Sequence, residues 1–242
     1  MRNWCGGGAG RPLALVTAAV AAAAAVVAFC LPLAATDTLC RYAPMAEAFA
    51  AGDWANAFHP RFGVGGTVVA GLFALLPGFD GFTACAVSAS LAWALCLVPV
   101  FRLAERVFDR RTAWFALVVF AICPQPLVWA LQGLREPFKM LGLLLMTDAL
   151  VRVRDAEGRR AGFAEACLAL PLLCLFKCDA ILLALVLGLA YAVGDRFRAR
   201  TWALAAWGLA VLQPMCLLVW SWTGYWLPAP HYVTLWRSIF GG

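Results

Sequence analysis

The stretch GVGGTVVAGLFALLPGFDG, residues 63–81, decides how the chain folds. Its apolar part, 64–78, is about 15 residues long and lies between a glycine-rich start and a Pro-Gly-Phe-Asp-Gly end. A helix that crosses the hydrocarbon core of a bilayer needs about 20 apolar residues. The run is therefore too short to cross, and it predicts a re-entrant or interfacial helix.

The composition explains why a bilayer is the expected setting. The 242 residues are 64% hydrophobic and only 13% charged, with a mean hydropathy of +0.83, whereas soluble domains carry about 25% charged residues. Seven other apolar runs lie at about 13–35, 81–104, 112–131, 137–153, 161–175, 178–194 and 201–222. We expect an all-α membrane protein of about seven transmembrane helices, forming one domain over 1–242 with no separate soluble part.

The distribution of basic residues predicts which side the connections face. Three basic segments lie between apolar runs: FRLAERVFDRR (101–111), RVRDAEGRR (152–160) and DRFRAR (195–200). The positive-inside rule places such segments in the cytoplasm, and all three lie on one side only if 64–78 does not cross. Thirteen of the 19 Lys and Arg residues are then cytoplasmic, and six lie outside. This predicts a multi-pass membrane protein with a cytoplasmic N-terminus, and it accounts for the net charge without a nucleic-acid partner.

The first apolar run, 13–35, has two interpretations. It follows Arg2 and Arg11, so it could be a secretory signal. Its length, and the poor cleavage site in CLPLAATDT (30–38), favour a retained first span instead.

The ten cysteines do not form a recognisable metal or disulfide pattern. Seven of them lie inside or at the ends of apolar runs, where cysteine behaves as a small hydrophobic residue. The sequence has no CxxC and no Cys/His spacing of a metal site. We therefore expect structural cysteines and no metal site.

The predicted outer side begins with a loop over 36–80 that contains juxtamembrane helices. Pro44, Glu47 and Gly52 suit the start, the N-terminal dipole and the C-cap of a short helix. Tyr42, Met45 and Phe49 fall on one face of that helix, which predicts that it lies on the membrane surface. Two tight turns, near 135–136 and 177–179, and an aromatic interfacial tail, 223–242, complete this side.

The order of residues in this loop resembles a known family. Asp37 ends the first span, Tyr42 follows five residues later, and then come a Met/Ala helix, GDW (52–54) and His-Pro (59–60). This order is similar to the first outer loop of the GT-C membrane glycosyltransferases, in the branch of the protein O-mannosyltransferases and the aminoarabinose and Rgt-type lipopolysaccharide transferases. FHPRFGVGGTVVAGLFALLPGF (58–79) resembles their re-entrant helix, and FRLAERVFDRRTAW (101–114) resembles the basic loop after their second span.

The resemblance implies roles for particular residues. Asp37 takes the place of the catalytic base, and Thr38 stands where many members have a second acid. Glu136, in GLREPFKM (133–140), takes the place of a further acid, although the residues alone allow a simple pair with Lys139. Lys177, in LLCLFKCDAILLALVLG (172–188), takes the place of a donor-phosphate ligand, and it could equally be a snorkelling anchor.

Further residues of the outer side are expected to support the same site. Arg61 is assigned to the donor phosphate, and His59 either to the same phosphate or to the cap of the re-entrant helix. Tyr42, Asp53 and Trp54 are assigned to the acceptor or to the loop. The resemblance covers about 13–200, and because family members are generally longer, the chain is expected to be a short or truncated member with a GT-C-like fold.

The activity that the resemblance implies is sugar transfer from a polyprenyl-phosphate donor to a glycan, lipid or protein acceptor on the outer face of the plasma (inner) membrane, with inversion. No cofactor is expected, and the lipid-linked sugar is a co-substrate; metal independence is expected, with a metal requirement left open. Two alternatives remain: a catalytically inactive fragment or scaffold, and a small transporter. The transporter is less favoured because the midplanes carry few charges and no two halves match.

Two acids of the predicted spans receive structural explanations. Asp148 precedes Arg152 by four residues, so a helical i,i+4 ion pair accounts for it. Glu165 is expected to reach water beside the basic segment 152–160.

Overall fold

The structure is a computed structural model that describes residues 10–31, 33–59, 64–153, 159–176 and 180–223. Within these ranges the regular structure is helical, without a strand, which confirms the all-α fold class. A π-helical turn, Thr38–Tyr42, lies between the first two helices. The twelve helices are α1 Gly10–Cys30, α2 Ala43–Ala50, α3 Trp54–Ala57, α4 Val64–Ala74, α5 Gly81–Leu95, α6 Leu97–Val107, α7 Arg110–Ile122, α8 Pro124–Leu131, α9 Glu136–Val153, α10 Arg159–Phe176, α11 Ala180–Gly194 and α12 Ala199–Thr223.

Aspartates at N-caps begin three of these helices. Asp53, Asp80 and Asp109 each accept a hydrogen bond from the backbone N–H three residues later, at 3.3, 2.6 and 2.7 Å. Such a bond satisfies one of the N–H groups that a helix start leaves without a partner. For Asp53 and Asp109, hydrogen bonds from Asn56 and Thr112 hold the pKa of the carboxyl below its usual value.

Helix α5 lies at the centre of the bundle. It contacts α1, α4, α8 and α9, and 78% of the apolar stretch of α5 and α6 is buried, against 22% for α1 and 18% for α12. Its Ala, Gly, Ser and Cys residues let neighbouring helices approach closely. One hydrophobic cluster joins α1, α6 and α7 around Phe101, and another joins α9 to α12 around Met146 and Leu173.

The basic segments meet at one end of the molecule, called here the basic end. Leu13 of α1 packs in the same cluster as Phe101 of α6. Arg106 of α6 binds Asp148 of α9. A methyl group added at Gly194 would lie 2.8 Å from Val153, so the end of α11 lies beside the end of α9. The described residues of all three basic segments therefore share one end, as the positive-inside argument requires.

Fewer helices than predicted are long and apolar enough to cross a membrane. Among the described residues there are three, Gly10–Cys30, Gly81–Val107 and Ala199–Leu218, or four if α7 and α8, bent by 50°, count as one span. Helix α11 has 15 residues, and charged side chains lower the mean hydropathy of α9 and α10. The count of seven spans thus stays a prediction.

Helix α4 contains the stretch that the sequence argument depends on. It runs for 11 residues, which is about 16 Å at 1.5 Å per residue, whereas the hydrocarbon core is about 30 Å thick. It contacts α2, α5 and α10, and its buried residues include three glycines, Gly65, Gly66 and Gly71. The helix is too short to cross the core by itself, which agrees with the predicted non-crossing segment.

The explanation proposed for Glu165 is wrong. The predicted pair of Asp148 with Arg152 is present at 3.2 Å, but Asp148 is fully buried and also binds Arg106. Glu165 is buried as well, and it binds Arg102 at 3.1 Å and Arg152 at 3.0 Å. Arg102 and Arg106 of α6 lie against α9 and α10. The two acids therefore form ion pairs inside the protein and do not extend to water.

Candidate functional site

The end opposite the basic end, called here the loop end, holds those predicted site residues that the structure describes. Five segments meet there: residues 36–59, α4, the start of α5, the turn between α8 and α9, and the end of α10. Phe49 of α2 lies directly against Gly71 of α4. A methyl group added at Gly65 of α4 would lie 2.7 Å from the ring of Phe176, the last residue of α10. Segments that are distant in sequence thus form one surface.

Glu47 connects the loop to the helical bundle in a way that the sequence did not predict. Its Oε1 accepts a hydrogen bond from the backbone N–H of Gly81 at 3.0 Å. The carboxylate therefore lies at the N-terminus of α5, where it satisfies a helix-start N–H and suits the helix dipole. The expectation that Glu47 serves the start of its own helix is wrong, since α2 begins at Ala43 and only the tertiary packing brings α5 within reach.

Thr38 anchors the residue next to the proposed base. Its side chain is completely buried, and its Oγ1 donates to the backbone carbonyl of Gln132 at 2.6 Å. A carboxylate at this position would place a negative charge against a carbonyl oxygen and could not donate. The hydroxyl of Thr38 thus has a structural role: it fixes the loop to the turn between α8 and α9.

Asp37 is accessible. Its side chain is 51% exposed, and its Oδ1 accepts a hydrogen bond from Nη1 of Arg41 at 2.8 Å. This i,i+4 pair is exposed on both sides, and such pairs contribute only tenths of a kcal/mol. A polar group of a substrate could displace Arg41 at little cost, so the carboxylate is open to a hydroxyl that approaches from outside the protein.

Arg135, for which the sequence predicts a turn but no role, is a further functional candidate. It is 4% exposed, and its guanidinium carbon lies 4.0 Å from the centre of the Tyr42 ring. Its Nη2 donates to Oγ1 of Thr67 at 3.4 Å, and a methyl group added at Gly66 would lie 2.6 Å from its Nε. A cation–π contact of this kind contributes about 0.5–2 kcal/mol. Its position in GLREP, directly before Glu136, was the available signal.

Tyr42 and Glu136 lie beside this arginine. Tyr42 is half-buried and ends the π-helical turn that begins at Thr38. Glu136 is half-buried and opens α9, where the helix dipole favours an acid. Since Thr38 and Tyr42 both contact the turn that carries Arg135 and Glu136, the loop of Asp37 and the turn of Glu136 are docked on each other. A pair between Glu136 and Lys139 stays a prediction.

Asp53, Trp54 and His59 form a separate part of the loop. Asp53 accepts hydrogen bonds from the backbone and the side chain of Asn56, the latter at 2.7 Å, so its carboxylate holds α3 in place. Trp54 is 60% exposed and packs between Phe49 and Phe58, with ring centres 5.2 and 6.2 Å apart. His59 is half-buried at the end of this segment. The exposed indole face could stack on a sugar ring.

Several predicted positions lie outside the described residues. They are Arg61, Lys177 and nearly all of the predicted tail 223–242. In sequence, Lys177 directly follows Phe176, which belongs to the loop end.

The chemistry available at the loop end is acid–base and electrostatic. The described part of the chain contains no group of three or more His, Cys, Asp and Glu side chains that could hold a metal ion. It offers an exposed carboxylate, a half-buried carboxylate and a buried guanidinium on two docked segments.

Comparison with known proteins gives no relative: no family model, curated protein or solved structure matches the chain.

Proposed function

We propose that the protein is an integral-membrane glycosyltransferase of the GT-C type that uses a polyprenyl-phosphate sugar. The observation that carries the proposal is the docking of the loop on the α8–α9 turn. Thr38 is bonded to Gln132, and Tyr42 lies under Arg135. This holds the exposed carboxylate of Asp37 on the same surface as an acid and a buried cation, as a reaction between a hydroxyl and a lipid phosphate ester requires.

In the proposed reaction, Asp37 accepts the proton of the acceptor hydroxyl as general base. The acceptor oxygen attacks the anomeric carbon, and the bond from that carbon to the phosphate oxygen breaks, so the configuration is inverted and polyprenyl phosphate leaves. Lys177, Arg61 and His59 are assigned to the charge of the phosphate, and Glu136 to orientation of the acceptor. Fixed charges are most effective where water is scarce.

The aliphatic surroundings suit the donor. Three of the described helices are long and apolar enough to cross a membrane, and a polyprenyl chain is confined to the bilayer, so the sugar phosphate is presented at headgroup depth. We place this reaction on the outer face of the plasma membrane, with a glycan, lipid or protein as acceptor.

The proposal is tested in right-side-out and inverted vesicles that contain the wild type, Asp37→Asn, Lys177→Gln or Asp109→Asn. Polyprenyl-phosphate hexoses are supplied, and mass spectrometry follows donor loss and polyprenyl-phosphate release. We expect turnover by the wild type in right-side-out vesicles and a loss of about 10²–10⁴-fold in Asp37→Asn, the usual contribution of a general base. Lys177→Gln should also slow phosphate release.

Asp109→Asn is the matched control. Asp109 is exposed and caps α7 at the basic end, and asparagine caps helices equally well, so this variant should retain activity. If the wild type leaves every donor intact, the scaffold or fragment interpretation replaces the transferase. If Asp37→Asn turns over like the wild type, the assigned base is wrong.

A further inference from the structure

A second site lies at the basic end, between the last turns of α9 and α11. It is a half-open cleft of about 950 Å³, within the range of about 300–1,000 Å³ that is typical of ligand pockets. Its walls are apolar and come from Leu150 and Val153 of α9 and from Val186, Leu189 and Val193 of α11. The three α11 side chains are about 60% exposed, so this wall is not covered by the described protein.

The inner end of the cleft is basic. Arg196 and Arg198, in the turn between α11 and α12, both line it and are exposed. The one acid in the lining, Asp195, is 2% exposed, and its Oδ2 accepts a hydrogen bond from the hydroxyl of Thr201 at 3.2 Å. The exposed charge at this end of the cleft is therefore positive.

The backbone of the same turn is strained. Arg196 and Phe197 have φ angles of 56° and 51°, in the left-handed region that residues other than glycine rarely adopt. This conformation ends α11: the backbone N–H groups of Arg196 and Phe197 donate to the carbonyls of Val193 and Ala192, which is the hydrogen-bond pattern of a helix C-cap. Close packing of Gly194 on Val153 fixes the start of the turn.

We propose that this cleft binds an anionic phospholipid of the leaflet that surrounds the basic end. An acyl chain would lie against the apolar wall, and the headgroup phosphate would lie between Arg196 and Arg198. Arginine binds phosphate through a planar, bidentate fork, and basic pockets between transmembrane helices hold anionic headgroups. The apolar wall distinguishes a lipid from a free phosphate, and the site is independent of the transferase activity.

The test is native mass spectrometry of the full chain in mild detergent, with phosphatidylglycerol and phosphatidylcholine of identical acyl chains. We expect the wild type to prefer phosphatidylglycerol, and Arg196→Gln/Arg198→Gln to weaken that binding roughly tenfold or more, as follows from the usual contribution of a basic residue at an anionic membrane surface. The control, Arg110→Gln/Arg111→Gln, removes the same charge from exposed residues at the start of α7, and it should bind like the wild type.

Two further variants separate the lipid site from general effects. Val193→Trp fills the cleft without changing charge and should also weaken binding, whereas Arg196→Lys/Arg198→Lys should retain most of it. Deacylated glycerophosphoglycerol should not compete. Equal losses in both Arg→Gln pairs, full binding by Arg196→Gln/Arg198→Gln, or competition by the deacylated headgroup would each overturn the proposal.

Discussion

At the scale of single residues, the loop end depends on two buried side chains, Thr38 and Arg135. Thr38 donates to Gln132 from a fully buried position, and Arg135 lies between Tyr42 and Thr67. Both contacts join residues that are more than sixty positions apart in sequence. A buried guanidinium is costly to desolvate and is retained only with partners, so Arg135 and its neighbours act as a unit.

The first prediction at this scale concerns Thr38→Val. Valine has the shape of threonine but cannot donate, so the carbonyl of Gln132 loses its side-chain partner, at a cost of about 1–3 kcal/mol. We expect a lower thermal midpoint in detergent and faster hydrogen exchange in 36–50. Thr38→Ser keeps the donor and should show most of the wild-type exchange pattern; equal behaviour of Val and the wild type would mean that the bond does not anchor the loop.

At the scale of elements, the short helix α4 is defined by what packs on it. Three side chains from other segments pack against its glycines: Phe176 against Gly65, Arg135 against Gly66 and Phe49 against Gly71. The glycines of α4 therefore allow close packing of these side chains and are not there to make the helix flexible. The charged helices α9 and α10 show the same dependence on neighbours, because Asp148 and Glu165 lie inside the protein only where Arg102, Arg106 and Arg152 meet them.

The prediction for α4 compares two glycine substitutions that we expect to change the free energy of unfolding in opposite directions. Glycine to alanine inside a helix normally stabilises by about 0.5–1 kcal/mol. Gly188→Ala in α11 has nothing within 4 Å of the new methyl group and should follow this rule. Gly66→Ala places the methyl group 2.6 Å from Nε of Arg135, and such overpacking usually costs about 1–3 kcal/mol.

Thermal unfolding of both variants in the same detergent measures the difference. A raised midpoint for Gly188→Ala with a lowered one for Gly66→Ala supports the packing described for Arg135. Stabilisation by both substitutions would show that Arg135 leaves α4 freely and is not held there.

At the scale of the whole molecule, the chain has two chemically different ends. The basic end holds the arginines of α6, α9 and the α11–α12 turn, and the loop end holds 36–59 and the α8–α9 turn. The continuous apolar stretch Gly81–Val107 runs from one end to the other. A membrane would lie between the ends, with the basic end in the cytoplasm if the positive-inside rule holds.

Labelling with a membrane-impermeant maleimide tests this orientation. Cys40 is free and exposed at the loop end, so right-side-out vesicles should give a signal that Cys40→Ser lowers. Asp109→Cys adds a thiol at the exposed start of α7, at the basic end, and should add label only in inverted vesicles. The reverse pattern would place the loop end in the cytoplasm and remove the proposed access to an outer acceptor.

The sequence by itself determined the fold class, most helix positions and the separation of charge between the ends. These follow from local physics: apolar runs form helices where water cannot satisfy the backbone, aspartate caps begin helices, and short connections carry the arginines. The brevity of α4 was also visible in its 15-residue run between glycines and Pro-Gly.

Only the tertiary structure decided which polar groups are buried and with whom. Four contacts join segments that are distant in the chain. They are the hydrogen bonds of Glu47 to Gly81 and of Thr38 to Gln132, the contact of Arg135 with Tyr42, and the ion pair of Glu165 with Arg152. The cost of burying a polar group depends on the partner that arrives from another helix. The pattern of residues within one helix does not indicate which residue of another helix will be that partner. These contacts therefore follow only from the tertiary structure.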